Sequence, residues 1–315
     1  MNKVRLTTAL VLLGCLTRSA LGQSDIPLVP VPPFPFVSSR TPSGVSDRSG
    51  GQVGRDTSPL TLQSQPVSNA IVSRSLQRMT SEQLFTSARQ KVTTFDSYIV
   101  RLIRREALRG TMQPTETLLV RFRAKPWSVY FKWLGKEGEG REVSYVRGQY
   151  GDKIHTRLAA GDFPLMPAGR RISLSPDNSL VRNACRHPID EAGFAASVER
   201  IGRLIANVAQ NPKTQGKLTV LGPLSREEFD KPVFALEHTL PAGLDPTLEQ
   251  GGRRTYFFHP DHHLPMLITA QDHNGAEAEY YRYDRLQADV NLDDEDFDPD
   301  QLWGKPMTPT NVANR

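Results

Sequence analysis

The chain has 315 residues, and its 39 basic and 34 acidic residues give it a net charge of +5 and a pI near 9.2. The basic excess lies in the first 79 residues, because residues 80–315 carry 31 basic and 31 acidic side chains. A neutral domain has no electrostatic reason to bind a polyanion, so we expect no nucleic-acid partner.

The first 22 residues have the features of a secretory signal peptide. Two basic residues precede a largely uncharged apolar run over 6–16, and a small-x-small pattern follows at 20–22. The run is too short to span a membrane, and no later stretch reaches about 18 consecutive apolar residues. We predict cleavage near Gly22 and a periplasmic or secreted protein with no transmembrane span.

The two cysteines leave one alternative open. The segment Leu12-Leu13-Gly14-Cys15 resembles a bacterial lipobox, in which Cys15 would be lipidated and would anchor the mature protein. If the signal is cleaved conventionally, Cys185 is alone and forms no intrachain disulfide. We interpret Cys185 as an unreactive, partly buried residue, with an activated thiolate beside Arg186 and His187 as the alternative.

Residues 23–79 form a leader rich in Pro, Ser and Gly. Prolines alternate with apolar residues over 27–35, and polar residues dominate from there to about residue 75. This composition buries too little apolar surface to offset the entropy of ordering, so we predict disorder. The leader is interpreted as a spacer, with a proline-rich docking peptide as the alternative.

Order is predicted to begin near residue 80, with a helix and then a run of strands. Ser81 is a candidate N-cap, and apolar residues recur at helical spacing over 84–92. From Tyr98 the apolar period changes to two, with turns at Gly110 and over 135–140. The alternating residues define four predicted strand faces: Tyr98, Val100 and Leu102; Leu118, Val120 and Phe122; Trp127, Val129, Phe131 and Trp133; and Val143 and Tyr145.

A loop rich in Pro, Gly and Arg is predicted over 161–183, and its length suggests a covering role. A second amphipathic helix follows over 190–209, with Asp190 and Glu191 at its positive N-terminal end. Strands then resume over 218–221, 233–240, 255–259, 264–272 and 276–286. Asn274-Gly275 joins the last two as a hairpin turn.

These elements predict an α+β fold, a large curved antiparallel sheet covered by two helices. We expect one domain over 80–300, followed by a flexible tail over 301–315. The acidic run over 293–300 is interpreted as a solvated terminus, because it lacks the mid-loop Gly and final Glu of a helix–loop–helix calcium site.

Three segments resemble a known family. GREVSYV (140–146), KPWSVYFKWLG (125–135) and RHPIDEAGF (186–194) are similar to the signature segments of a bacterial domain-of-unknown-function family, number fifteen-seventy-one. The resemblance covers roughly residues 82–300. No activity is established for that family, so the resemblance implies membership without a function.

A more distant resemblance concerns the C-terminal half. Six positions are similar to the pattern that closes the periplasmic lipoprotein-carrier fold, namely Pro265, Leu267, Asp272, Gly275, Asn291 and Phe297. Proteins of that fold form an incomplete barrel closed over helices, and the groove between them takes acyl chains or a partner's peptide. The resemblance therefore implies a carrier-like half-barrel with an apolar groove.

The candidate ligand groove is assigned to apolar residues of the aromatic strands and of the second helix. The predicted groove residues are Trp127, Val129, Phe131, Trp133, Tyr145, Phe194, Val198, Ile201 and Ile205. A sheet face packed on helices is the other interpretation of the aromatic strand residues and the one that the pattern favours, and the two overlap because the helix-covered face of a carrier fold is also its groove wall. On the opposite sheet face, a basic set is available to meet phosphate or carboxylate groups: Arg101, Arg105, Arg121, Arg123 and Lys125.

The sequence points to no catalytic centre and no cofactor. It has no Gly-x-Ser-x-Gly elbow, no Gly-rich phosphate loop and no Cys-x-x-Cys motif. His259, His262 and His263 are the densest set of metal-ligand types, but Pro260 favours a solvated turn there. We therefore predict a non-enzymatic envelope protein that binds a lipid or a lipidated or hydrophobic peptide. The alternatives are a structural or protein-interaction domain with a self-filled core and, third, a hydrolase.

Deleting residues 23–79 is expected to leave the melting temperature of the mature protein unchanged, because a segment of this composition adds no core. Limited proteolysis of the mature protein should also leave a stable fragment that begins near residue 80. A fall of several degrees on deletion would mean that the leader packs on the domain.

Overall fold

The computed structural model describes residues 79–305, except for residues 109, 164 and 183–185. The predicted signal peptide, Cys15, Cys185, nearly all of the leader and the tail beyond 305 lie outside the described residues. The helices are α1 (Ser81–Val92), α2 (Ser179–Arg182), α3 (Phe194–Gln210), α4 (Pro212–Gln215) and α5 (Pro299–Trp303). The strands are β1 (Ser97–Leu108), β2 (Thr111–Met112), β3 (Glu116–Arg123), β4 (Ser128–Trp133), β5 (Glu142–Val146), β6 (Ile154–Arg157), β7 (Arg171–Leu174), β8 (Lys217–Leu224), β9 (Val233–Leu240), β10 (Gly252–Phe258), β11 (Pro265–Asp272) and β12 (Glu277–Ala288).

The strands form one antiparallel sheet in the order β7-β6-β5-β4-β3-β1-β12-β11-β10-β9-β8, with β2 paired to β1. The path is open, with β7 and β8 at its two ends. Two meanders make up this sheet, and the pairing of β1 with β12 joins them. The predicted α+β class, a large antiparallel sheet with a few helices, is confirmed.

The register confirms the apolar faces predicted for the first four long strands. Val100 is paired with Val120, and Val120 with Phe131. Phe131 in turn is paired with Val143 on β5. Paired residues of an antiparallel sheet project to the same side, so these four side chains form one row on the inner face.

The helices cover one half of this inner face. Helix α1 begins with a capping box, in which Gln83 N–H donates to the Thr80 hydroxyl and Thr80 N–H donates to the Gln83 side chain. The N-cap is therefore Thr80, and the prediction of Ser81 was one residue late. Helix α3 packs against α1 and against strands β8 and β11.

Two predicted elements differ from the structure around α3. The loop predicted over 161–183 contains β7, which pairs with β6, and the short helix α2. Asp190 and Glu191 do not begin α3; they belong to a separate 3₁₀ turn over Ile189–Glu191. The chain then reverses at Gly193, whose φ of 98° suits only glycine, and α3 starts at Phe194.

The acidic segment over 292–303 is not a solvated terminus but a strap across the outer sheet face. Phe297 is fully buried in a cluster with Tyr130 and Val146. Its flanking carboxylates pair with arginines of the sheet, Arg123 with Asp294 at 2.8 Å and Arg121 with Asp296 at 3.1 Å. Both arginines belong to the basic set for which the sequence predicts phosphate or carboxylate partners. In the structure, their partners are carboxylates of this chain. The strap continues into α5, which crosses the domain boundary predicted at residue 300.

Replacing Phe297 by Ala should lower the free energy of unfolding by about 3–5 kcal/mol, because the ring is fully buried. Urea denaturation measures the change, and the exposed neighbour Glu295→Ala is the control, with an expected effect within about 0.5 kcal/mol. Equal, small effects of both substitutions would show that the strap does not pack on the sheet.

Candidate functional site

A cavity of about 170 Å³ lies on the inner face, between the sheet and the segment 187–200. We call it the inner cavity. Its sheet side is apolar and mostly buried, and its residues there include Val100, Leu102, Leu118, Val120, Phe131 and Val143. Its other wall, from His187 to Arg200, is half-buried, and we call the segment 186–193, which leads into α3, the rim. The cavity thus combines an apolar floor with a rim that solvent reaches.

Cross-strand register places charged rows directly beside the apolar rows. Arg104 is paired with Glu116 on one side and with Tyr281 on the other. In the next row, Glu106 is paired with Glu279. Both rows contribute to the lining of the inner cavity, so the cavity has an apolar part and a polar part.

The first charged row is anchored by ion pairs and an indole. Glu116 accepts hydrogen bonds from Arg104 Nε at 2.7 Å, from Trp133 Nε1 at 2.8 Å and from Arg141 Nη1 at 3.3 Å. Arg141 also pairs with the buried Asp162. Burial alone would raise the pKa of Glu116, but the arginines and the indole outweigh it and lower the pKa.

The two carboxylates of the second charged row differ in their partners and in the direction of their pKa shifts. Glu279 is 1% exposed and lies 3.3 Å from Arg254 Nη2 and 3.4 Å from Arg186 Nε. Burial would raise its pKa, yet Arg254, His187 and Arg186 together hold that pKa well below its usual range. Glu106 accepts a hydrogen bond from the Tyr281 hydroxyl. Burial raises the pKa of Glu106, and Arg104 and His187 do not cancel the increase.

Arg186 fixes the rim to the sheet. Its two terminal nitrogens donate to the carbonyl oxygens of Ala107 and Thr247, each at 3.0 Å, in addition to its contact with Glu279. At the other end of the rim, Phe194 N–H donates to the Tyr98 hydroxyl at 3.0 Å. The rim segment is therefore held at one end by Glu279 and two backbone carbonyls, and at the other end by Tyr98 of the inner face.

Two of the nine predicted groove residues, Phe131 and Trp133, line the inner cavity. They face the wall that includes Ser197 and Arg200 of α3, while α3 itself packs over β8 and β11. The other seven belong to the main hydrophobic core rather than to the lining: Trp127, Val129, Tyr145, Phe194, Val198, Ile201 and Ile205. For example, Trp127 packs edge-on against Phe122 and Tyr145.

The polar residues of the cavity were missed by the sequence reasoning. Arg104 and Glu106 continue the inward-pointing series of Tyr98, Val100 and Leu102, and their alternation on β1 was the available signal. The apolar pattern ends at Leu102, and the charged residues at the next two inward positions carry no apolar signal.

The histidine cluster lies in the turn between β10 and β11, where His259 and His262 stack with ring centroids 4.4 Å apart. Within the described residues, no group of three or more His, Cys, Asp or Glu side chains is arranged to hold a metal ion. Across the same part of the chain, no helix has the length and apolar character needed to cross a membrane.

A family model described as "Protein of unknown function (DUF1571)" matches residues 95–302. The chain belongs to this family. The match spans the whole sheet and the inner cavity, and it agrees with the signature segments found in the sequence. No curated protein matches the chain significantly.

Solved structures similar to this DUF1571 protein include an uncharacterized conserved protein from Thermus thermophilus, with 8% identity and a TM-score of 0.40 over 70% of this chain and 93% of that chain. The lipoprotein LppX of Mycobacterium tuberculosis shows 16% identity and a TM-score of 0.37, over 68% of this chain and 100% of that chain. A putative outer membrane lipoprotein-sorting protein domain from Vibrio parahaemolyticus shows 12% identity and a TM-score of 0.33, over 72% of this chain and 100% of that chain. The last description matches the predicted carrier resemblance, but TM-scores this low support no argument about function.

Glu106→Gln is expected to change how stability depends on pH. A buried carboxyl whose pKa is raised contributes stability that is fully present below its ordinary pKa and is lost as the pH rises through the folded-state value. The free energy of unfolding of the wild type should therefore fall relative to Glu106→Gln as the pH rises above about 4.5, the ordinary pKa of a glutamate. Urea denaturation at several pH values measures this difference.

The exposed Glu137→Gln is the matched control, and its difference from the wild type should be small at every pH. A Glu106→Gln difference that does not vary with pH would show that Glu106 has an ordinary pKa in the folded protein.

Proposed function

We propose that this DUF1571 protein is an exported, non-enzymatic envelope protein whose inner cavity binds an apolar group. The ligand class is a lipid or a lipidated or hydrophobic peptide, which an envelope protein partner supplies or receives. The inner cavity is the observation that carries the proposal, because its floor is apolar and buried while its rim is half-buried. Export is supported by the signal-peptide pattern of the first 22 residues.

The size of the inner cavity limits what it holds in this conformation. A volume of about 170 Å³ is close to the roughly 150 Å³ of an engineered apolar cavity that binds benzene. The cavity therefore accommodates a small apolar group or the end of one chain. A longer ligand requires outward movement of the rim, which begins at Arg186 and ends at Gly193.

A self-filled interaction domain is the second candidate, and one observation favours it. Seven of the nine groove residues predicted from the sequence pack inside the core instead of lining a cavity. In that case the protein acts through its outer surface, and the inner cavity is a packing defect of the sheet.

A series of n-alkylbenzenes distinguishes the two candidates. If the inner cavity binds apolar groups, affinity should rise by about fourfold per methylene, which corresponds to roughly 0.8 kcal/mol, until the cavity is filled. Longer chains should then give a plateau. Trp133 lies in the lining, so quenching of tryptophan fluorescence provides the measurement.

Phe131→Glu should abolish binding, since it places a carboxylate in the apolar floor. Leu134→Glu is the matched control, because Leu134 is 53% exposed and lies next to the same strand. Circular dichroism must show that both variants fold. Wild-type protein that binds no alkylbenzene, and that emerges from its native envelope with no ligand in native mass spectrometry, would favour the interaction domain.

A further inference from the structure

Glu106 stands apart from the other charged groups around the inner cavity. The carboxylates near it are each paired with arginine: Glu116 with Arg104 and Arg141, Asp162 with Arg141, Glu279 with Arg186 and Arg254, Asp245 with Arg254, and Glu191 with Arg200. Among the described residues, no ion pair reaches Glu106. Its side chain is nevertheless buried, with the residue only 5% exposed.

The charges of this cluster balance without Glu106. The pairs just named contain five arginines and five carboxylates, so their formal sum is zero when His187, which lies 3.3 Å from Glu279, is neutral. An ionised Glu106 would add an uncompensated buried negative charge, which is strongly unfavourable. The neutral acid is therefore the form that fits this site, and the raised pKa of Glu106 agrees with it.

Charged and titratable groups on the neighbouring elements lie near Glu106, line the same cavity or pair with Glu279. They are Arg104 on β1, Glu116 on β3, Glu279, Tyr281 and Tyr283 on β12, Arg254 on β10, His187 and Glu191 on the rim, and Arg200 on α3. The Tyr281 hydroxyl donates a hydrogen bond to Oε1 of Glu106, which leaves Oε2 to carry the proton of the neutral acid. Glu106 itself lines the cavity, beside the apolar floor.

We propose that Glu106 is the polar recognition group of the inner cavity and donates a hydrogen bond to an uncharged carbonyl oxygen of the ligand, as in an ester or amide. The apolar part of the same ligand lies against the floor formed by Val120, Phe131 and their neighbours. This inference rests on the proposed function and specifies its ligand class: neutral, apolar and carbonyl-bearing.

Two probes of equal size test the inference. Methyl benzoate and n-butylbenzene have the same number of non-hydrogen atoms, but only the ester has a carbonyl. At pH 5 the wild type should bind the ester more tightly than n-butylbenzene, after each affinity is corrected for that probe's partition into hydrocarbon. The expected preference is roughly twofold to tenfold, which is the contribution of one neutral hydrogen bond. Glu106→Gln should keep this preference through its amide N–H, and Glu106→Met should lose it.

The pH dependence is a second readout, and it can be measured even if Glu106→Met does not fold. The ester preference of the wild type should decline as Glu106 ionises at higher pH, whereas that of Glu106→Gln should not change. An ester preference that is equal in all three proteins, or tighter binding of benzoate or of benzylamine than of the ester, would overturn the role of Glu106. If n-butylbenzene and the ester both fail to bind, the proposed function itself fails.

Discussion

The pairing of β1 with β12 is the constraint on which the inner cavity depends. This pairing joins the two meanders through strands that are separated by about half of the chain, and its register sets Glu106 directly opposite Glu279. Like charges across an antiparallel pair repel, and a buried pair of carboxylates is worse still. The fold therefore has to compensate two buried acids at one point of the sheet, and it does so in two different ways.

Glu279 is compensated by cations, and these cations also position the rim. Arg186 reaches Glu279 from the rim and donates to two backbone carbonyls, one on β1 and one in the loop between β9 and β10. Arg254 reaches it from β10 and pairs with Asp245 in that same loop. Removing the charge of Glu279 would therefore loosen the rim, the loop and the sheet together. Glu106 instead accepts a hydrogen bond from Tyr281, and burial raises its pKa, which favours the uncharged acid that we propose beside the cavity.

Much of the sheet could be predicted because its signals are local. The strand from Val233 to Leu240 has the predicted bounds, and the alternation of Leu118, Val120 and Phe122 gave the correct inner face. Two features could not be predicted because their compensating partners are distant in sequence. Glu106 meets Tyr281 across 175 residues, and the acidic strap meets arginines about 170 residues away. Neither contact leaves a periodic pattern, although Phe297 was marked by the carrier-like motif.

The candidate site, too, could be predicted only in part from the sequence. An apolar residue that points inward can either fill the core or line a cavity, and period and composition do not distinguish the two. Phe131 and Trp133 line the inner cavity, whereas Val129, two residues from Phe131, is buried in the core. The difference depends on where α3 and the rim cover the sheet, and Gly193 and Arg186 determine that position through tertiary contacts.

The most direct test of this account is the pKa of Glu106, measured by NMR titration of its side-chain carboxyl carbon with and without methyl benzoate. The account predicts a pKa above the ordinary glutamate value in the free protein and a further increase when the ester is bound, since the ligand accepts a hydrogen bond from the protonated form. An ordinary or lowered pKa that does not respond to the ester would contradict it.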